Sequence, residues 1–174
     1  MLQKWNRYLI LQQFFDAPRK GFLVRELSRK TKLAQTSVRS HLQALKDDGL
    51  LATEETGLYP VFKARADSPI FRILKKQNAI LRIHESGLVE ALEKKLYPTC
   101  IVIFGSASRG EDNEHSDFDI FIQAKRAAIP LKKFETSLKR RISLLFEPDL
   151  KKIPAELLSN LANGQVLSGY LEVR

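Results

Sequence analysis

The sequence predicts an α+β protein of two domains: three helices and a β-hairpin come first, and a small α/β domain with a mixed sheet follows. Two patterns in the 174 residues support this prediction. Before residue 50, apolar residues recur at helical spacing, and two short β-prone runs then flank Thr56-Gly57. After residue 99, short apolar runs alternate with segments of helical pattern. The chain is long enough for two small domains.

Three helices are predicted before the hairpin. Apolar spacing indicates a first helix over residues 2–16, ended by Asp16-Ala17-Pro18. The segment FLVRELSRKTKL is a short amphipathic helix, and a third helix begins at Gln35 and ends at Gly49, which can take the positive φ of a C-terminal cap. The residues of the second and third helices expected to face inward are Val24, Leu27, Leu33, Val38, Leu42 and Leu45.

A hairpin and a linker helix follow. The runs LLATEE and LYPVFKAR flank Thr56-Gly57 as two strands flank a tight turn. Three helices and a hairpin are the order of a winged helix, which we expect over residues 1–67. Ser68-Pro69 then starts a linker helix over residues 68–87, because Ser favours the N-cap and Pro the first helical position.

An apolar stripe on the linker helix needs a partner surface, either in its own domains or in a second copy of the chain. A homodimer through this helix is therefore one expectation. The stripe consists of Ile70, Ile73, Leu74, Gln77, Ile80, Leu81 and His84.

Residues 88–174 predict the small α/β domain. A short helix over residues 88–96 is closed by Tyr97-Pro98. The later elements are a strand at 100–104, a turn and helix start at 105–111, a strand at 118–123, a helix at 131–140, a strand at 141–146 and a helix at 154–163.

The charge is basic and unevenly placed. Residues 1–46 hold ten Lys or Arg against two acids, whereas residues 98–174 hold eleven against ten. A positive field at one end of the chain favours a polyanion partner for that end. The alternative is a solvated basic face without a partner.

Several classes of protein are not indicated. No apolar run approaches the ~20 residues of a membrane-spanning helix, and the N-terminus has no signal-peptide pattern. We therefore expect a soluble cytoplasmic protein without membrane contact. Cys100 is the only cysteine, which excludes an intramolecular disulfide, and its position in the run CIVIF predicts a buried thiol. The histidines, His41, His84 and His115, lack metal-ligand spacing.

The third helix carries the side chains expected to contact DNA. In a helix-turn-helix the second helix of the motif lies in the major groove. Its exposed face here offers hydrogen-bonding types suited to bases and phosphates. The predicted DNA-binding residues are Gln35, Thr36, Ser37, Arg39, Ser40 and Gln43 on the helix, with Lys63 and Arg65 on the wing.

The segment VRELSRKTKLAQTSVRSHLQALKDDGLL resembles winged-helix transcriptional regulators of bacteria and archaea over about residues 20–65. It is similar to them in helix lengths, in core spacing and in the Gly-Leu pair before the wing. The resemblance implies DNA binding, and the alternative use of such a domain is protein contact.

A second group of polar residues lies in IVIFGSASRGEDNEHSDFDIFI. A buried strand leads to Gly105-Ser106 at a helix start, a geometry that offers N–H groups to a phosphate. Asp117 and Asp119 stand two apart at the next strand, so both project from the same face. Two adjacent carboxylates repel each other without a cation, and Mg²⁺ commonly uses one or two carboxylates plus phosphates.

This pattern resembles the DNA polymerase beta nucleotidyltransferase superfamily, and specifically its minimal nucleotidyltransferase branch, over about residues 88–170. The matching positions are Gly105, Ser106, Arg109, Gly110, Ser116, Asp117 and Asp119. The resemblance implies that Gly105, Ser106, Arg109 and Ser116 bind a nucleotide, ATP or another nucleoside triphosphate. It also implies that Asp117 and Asp119 hold Mg²⁺ and serve catalysis. Minimal relatives often pair with a HEPN-type toxin protein, which makes such a protein a candidate partner.

The pattern departs from the family at one position. A third carboxylate on the next strand completes the family's metal site, and the register places Ser143 there. Serine offers no carboxylate at neutral pH. Glu147 is about 13 Å further along the strand, and Glu135 on the preceding helix is a looser candidate. Three functions remain open: an AMP-transferring enzyme, which could be an antitoxin that represses its own operon; a nucleotide-sensing regulator; and a protein-interaction module.

Overall fold

A computed structural model of the chain describes residues 5–55 and 57–172. The described residues form two compact units, one ending at Lys75 and the other beginning at Lys76. This division falls inside the segment predicted as a linker helix.

The first unit contains the three predicted helices and the hairpin. The helices are α1 (Asn6–Asp16), α2 (Val24–Thr31) and α3 (Gln35–Asp47), followed by strands β1 (Leu51–Glu54) and β2 (Val61–Ala64), which pair antiparallel. Residues 2–4 of the predicted first helix lie outside the described residues. Gly49 has φ of +74°, as its predicted role after α3 requires.

The core of the first unit confirms the predicted inward face of α3. Val38, Leu42 and Leu45 are buried to 1 % exposure or less. They pack with Leu27 of α2, while Val24 and Leu33 are partly buried against the same cluster. The other buried members include Ile10, Leu11, Phe14, Phe15, Phe22, Leu51, Phe62 and Phe71.

The hairpin loop is longer than the two-residue turn that the sequence suggests. Leu51 pairs with Ala64 and Glu54 pairs with Val61, so residues 55–60 connect the strands. Thr56, half of the predicted turn, lies outside the described residues. Pro60 has no N–H to donate to a ladder, which is why β2 begins after it.

Helix α4 (Pro69–Glu85) is the predicted linker helix. Phe71 is buried in the core of the first unit, and Ile83 is buried in the core of the second. Most of the predicted apolar stripe lies on the exposed side, because Ile70 and Ile73 are about half exposed. Gln77, Leu81 and His84 are also exposed, whereas Leu74 and Ile80 are half-buried.

The second unit is a mixed four-stranded sheet with helices. Its elements are α5 (Leu88–Leu96), β3 (Cys100–Phe104), α6 (Gly105–Arg109), β4 (Phe118–Ile122), α7 (Lys132–Leu138), β5 (Ile142–Phe146), a 3₁₀ turn (Leu150–Lys152), α8 (Ala155–Ala162) and β6 (Gln165–Gly169). The strand order is β5-β4-β3-β6. Strand β3 runs antiparallel to β4 and β6, and β4 runs parallel to β5. The predicted mixed sheet is confirmed.

Alternating side chains of the central strands build a separate core on each face of the sheet. Ile101 and Ile103 of β3 pack in one cluster with residues of α5 and α7. Cys100 and Val102 pack in the other with Leu161 of α8. Both central strands are therefore held on two sides, which keeps the ends of β3 and β4 in fixed register.

None of the helices in the described ranges, 5–55 and 57–172, combines the length and the apolar character needed to cross a membrane.

Candidate functional site

Gly105 forms the turn between β3 and α6. Its φ is +70°, a conformation that favours glycine. A Cβ built on Gly105 would stand 2.8 Å from Oδ2 of Asp119, 3.6 Å from its Cγ and 3.7 Å from its Cβ. The turn therefore needs glycine for two reasons: the backbone conformation, and the close approach of the Asp119 carboxylate.

The predicted acid pair lies beside this turn. Asp119 is the second residue of β4 and pairs with Phe104 of β3, the residue before Gly105. Asp117 immediately precedes β4 and lies close enough for its charge to act on the Asp119 carboxyl. Among the described residues, no ion-pair partner is found for either carboxylate, in contrast to Asp112.

The surroundings of Asp117 and Asp119 disfavour a negative charge on both carboxyls at once. Burial raises the pKa of Asp119 above its usual value, and the neighbouring charge of Asp117 raises this pKa further. Both effects disfavour the ionised form of the Asp119 carboxyl. A bound cation would relieve both, since it would replace lost water contacts and offset the repulsion.

The residues present fit a magnesium ion together with phosphates. Two carboxylates with one or two phosphate oxygens are a donor set that Mg²⁺ uses often, because it binds hard oxygen ligands and keeps several waters. The half-buried Ser106 hydroxyl, one residue after the glycine, makes no hydrogen bond to any of the residues described. It is therefore open to a phosphate oxygen.

The other two residues predicted to bind nucleotide have protein partners. Arg109 at the end of α6 pairs through Nε with Glu111 at 2.9 Å, and both side chains are exposed. The Ser116 hydroxyl accepts a hydrogen bond from the N–H of Asn113 at 3.0 Å. Ser116 thus closes the loop before the acid pair.

A buried ion pair holds this loop in place. Arg140 Nη2 lies 3.3 Å from Asp112 Oδ2, and both side chains are at most 6 % exposed. Arg140 Nη1 donates to the carbonyl of Asn113 and, at 3.1 Å, to that of Ser116. The guanidinium therefore fixes the backbone that leads into Asp117. Sequence reasoning missed this role, because the pairing of residues 28 apart depends on the tertiary fold.

The register confirms that Ser143 occupies the place next to the acid pair on the neighbouring strand. Ser143 of β5 pairs directly with Asp119 in the parallel ladder. Glu135 Oε1 instead accepts the N–H of Ile142 at 3.0 Å, and Glu147 Oε1 accepts the N–H of Asp149 at 3.0 Å. Across residues 5–55 and 57–172, no group of three or more His, Cys, Asp or Glu is placed to hold a metal ion.

The helix-turn-helix places the predicted DNA contacts on one accessible surface. The turn between α2 and α3 is held by the Ser28 hydroxyl, which donates to the Leu33 carbonyl at 2.6 Å. Lys32 takes a positive φ of 59° at the end of α2. Residues Gln35, Thr36, Arg39, Ser40 and Gln43 of α3 are exposed, and Ser37 is half-buried. Gln43 donates from Nε2 to Asp47 at 2.7 Å, so it is partly engaged.

The two predicted DNA-binding residues of the wing differ in whether an ion pair holds the side chain. Lys63 Nζ lies 2.6 Å from Glu54 on the facing strand, whereas the exposed Arg65 uses its backbone N–H to bond Leu50. Arg25 of α2 stacks on the ring of Tyr59 at 5.0 Å and donates to its hydroxyl. Sequence reasoning did not include Arg25 and Tyr59, although an exposed aromatic residue in a predicted wing was a usable signal.

The fold and these two sites define a DNA-binding helix-turn-helix joined to a domain of nucleotidyltransferase fold. Comparison with family models agrees: residues 87–167 match Polymerase beta, Nucleotidyltransferase, and residues 6–53 match Bacterial regulatory protein, arsR family. No curated protein and no solved structure matches the chain. The resemblances drawn from the sequence are thus confirmed for both halves of the chain.

Proposed function

We propose that this protein is a DNA-binding regulator whose C-terminal domain binds a nucleoside triphosphate together with Mg²⁺ and uses it as a signal. The observation that carries the proposal is the approach of the Asp119 carboxylate to Gly105, with Asp117 beside it. The acids supply hard oxygen ligands for a cation beside the glycine-serine turn, and that turn offers N–H groups and the Ser106 hydroxyl to the phosphates of a cation-bound nucleotide.

Each residue has a separate task in this proposal. Gly105 allows the Asp119 carboxylate to lie against the turn, and Ser106 donates its hydroxyl to a phosphate oxygen. Asp117 and Asp119 hold Mg²⁺, which neutralises phosphate charge when it is bound. Arg109 contributes a positive charge at the end of α6 after exchanging Glu111 for the ligand.

The absence of a third acid favours binding over catalysis. Nucleotidyl transfer forms a bond between an acceptor oxygen and the α-phosphorus, breaks the bond to pyrophosphate, and requires a base for the acceptor proton. Ser143 pairs with Asp119 where a carboxylate would be needed, and serine is neutral at pH 7. A site with the acid pair and the glycine-serine turn, and with serine at position 143, is suited to sensing.

Calorimetric titration of the full chain with ATP and with the other nucleoside triphosphates, with and without Mg²⁺, tests the proposal. We expect saturable binding that requires Mg²⁺ and is lost in Asp119→Asn. Glu156→Gln is the matched control, since Glu156 is an exposed acid on α8. Equal binding in both variants, or binding that ignores Mg²⁺, would refute the nucleotide site.

A second candidate function is transfer of AMP to a hydroxyl acceptor, such as a side chain of a HEPN-type partner protein. It is favoured by the presence of the acid pair and the glycine-serine turn on one side of the sheet. Incubation with α-labelled ATP, Mg²⁺ and cell lysate tests it. Label transfer that disappears in Asp117→Ala would establish an enzyme, and nucleotide binding without transfer would leave the sensor.

A further inference from the structure

A polar cavity of about 610 Å³ adjoins Asp117 on the side of the loop and of helix α7. Its volume is in the range of small-molecule sites, about 300–1,000 Å³. Its lining differs from an ordinary ligand pocket because it contains hardly any apolar side chain. The lining residues are Glu114, His115, Ser116, Asp117, Lys132, Glu135, Thr136, Lys139, Arg140 and Arg141.

Three cations of this cavity remain available to a ligand. Lys132, Lys139 and Arg141 are exposed, and none makes an ion pair with the residues described. They come from the first turn of α7, the residue after α7 and the residue before β5. Positive residues from the start of α7 and from the connection between α7 and β5 thus line one cavity.

The acids of the lining make no ion pair with these three cations. Glu135 is bonded to the N–H of Ile142, and Asp112 behind the wall neutralises Arg140. Asp117 belongs to the proposed magnesium site. Glu114 and Asp117 are the exposed acids of the lining, and Glu135 keeps its charge while it accepts the N–H of Ile142.

One wall of the cavity is fixed before any ligand arrives. The buried Arg140 donates to the carbonyls of Asn113 and Ser116, which hold the loop that carries Glu114 and His115. Preorganisation of this kind lowers the ordering cost of binding. The cavity therefore has one side held by buried hydrogen bonds and exposed cationic side chains elsewhere in its lining.

We infer that this cavity binds the phosphate group of a second ligand, separate from the phosphates at Gly105-Ser106. Lys and Arg are the usual partners of phosphate, and ionised donors make the stronger hydrogen bonds. Asp117 borders both spaces, so the second ligand lies next to the nucleotide; this adjacency rests on the proposed function, whereas phosphate binding itself does not. A mononucleotide and the phosphorylated end of a nucleic acid share the required chemistry.

Amide NMR spectra of the full chain, titrated with inorganic phosphate without Mg²⁺, test the inference. We expect shifts confined to residues 114–117, 132–136 and 139–141. The variant Lys132→Gln/Lys139→Gln/Arg141→Gln should weaken phosphate binding by about tenfold or more, because charge-assisted hydrogen bonds are lost. The control Lys125→Gln/Arg126→Gln/Lys152→Gln removes three exposed charges outside the cavity and should bind phosphate as the unchanged protein does.

Two further probes distinguish the source of the phosphate. Tighter binding of a short 5′-phosphorylated oligonucleotide than of AMP at the same amides would identify a nucleic-acid end, and equal binding would identify a mononucleotide. An equal loss of phosphate affinity in both triple variants, or amide shifts confined to residues 105–109, would overturn the inference. Calorimetry with Mg²⁺ and ATP separates the two claims, since the cavity variant should keep Mg²⁺-dependent ATP binding.

Discussion

Substitution of Gly105 by alanine tests the close approach on which the nucleotide site depends. With φ of +70°, an alanine at this position costs about 1–2 kcal/mol for the left-handed backbone conformation. Its Cβ would also meet Asp119 Oδ2 at 2.8 Å, so the carboxylate must move. We expect Gly105→Ala to lose both stability and Mg²⁺-dependent nucleotide binding.

Gly87→Ala is the matched control for the backbone cost. Gly87 has φ of +76°, and a Cβ built there meets nothing within 4 Å. Its stability should fall by about 1–2 kcal/mol, with nucleotide affinity unchanged. The excess loss of stability in Gly105→Ala over Gly87→Ala then measures the contact with Asp119.

Urea unfolding and calorimetry with Mg²⁺ and ATP provide the two readouts. A double-mutant cycle with Asp119→Ala isolates the contact, because removing that carboxylate should reduce the cost of Gly105→Ala to that of Gly87→Ala. Nucleotide affinity in Gly105→Ala equal to that of Gly87→Ala would refute the assignment of Asp119 to the site.

Three other predictions concern separate parts of the molecule. Ser143→Asp adds a carboxylate beside Asp119 and should bind Mg²⁺ more tightly than the neutral control Ser143→Asn, as measured by calorimetry; equal affinity would show that position 143 lies outside the metal's reach. Because the pKa of Asp119 is raised, the folded state holds the proton of this carboxyl more tightly than the unfolded chain does, and the free energy of unfolding should fall as pH rises through the folded pKa. Urea unfolding at several acidic pH values should show this fall, and Asp119→Asn should remove it. Arg39→Ala should weaken DNA binding more than Gln43→Ala does, because the Gln43 side chain already bonds Asp47 within the protein. In a mobility-shift assay the DNA affinity should fall steeply with salt, and an affinity that does not change with salt would exclude phosphate contacts.

The elements of both units could be predicted because their sequence signals are local. The spacing of Val38, Leu42 and Leu45 identifies α3, and the run CIVIF identifies β3. The acid pair and the glycine-serine turn could also be predicted, since they stand next to short apolar strands in one continuous stretch of sequence. The place of Ser143 followed from the resemblance to the family, and the parallel ladder pairs Ser143 with Asp119.

Features that depend on long-range packing could not be predicted. The ion pair of Arg140 with Asp112 joins two loops, and the cationic cavity arises only when both ends of α7 meet that loop. Part of the predicted stripe of α4 does not pack within the described chain, because Phe71, Ala79 and Ile83 form the buried side of the helix; a second copy on the exposed side stays a prediction. Apolar spacing alone does not choose between two neighbouring helix faces when both contain isoleucine or leucine.

Paramagnetic broadening by Mn²⁺ in the presence of ATP locates the metal most directly. Mn²⁺ accepts the same oxygen ligands as Mg²⁺, and amide signals near it disappear from NMR spectra. We expect the signals of Gly105, Ser106, Asp117 and Asp119 to broaden first, and this broadening to be absent in Asp119→Asn. Broadening centred elsewhere in the chain, or unchanged in that variant, would contradict this expectation.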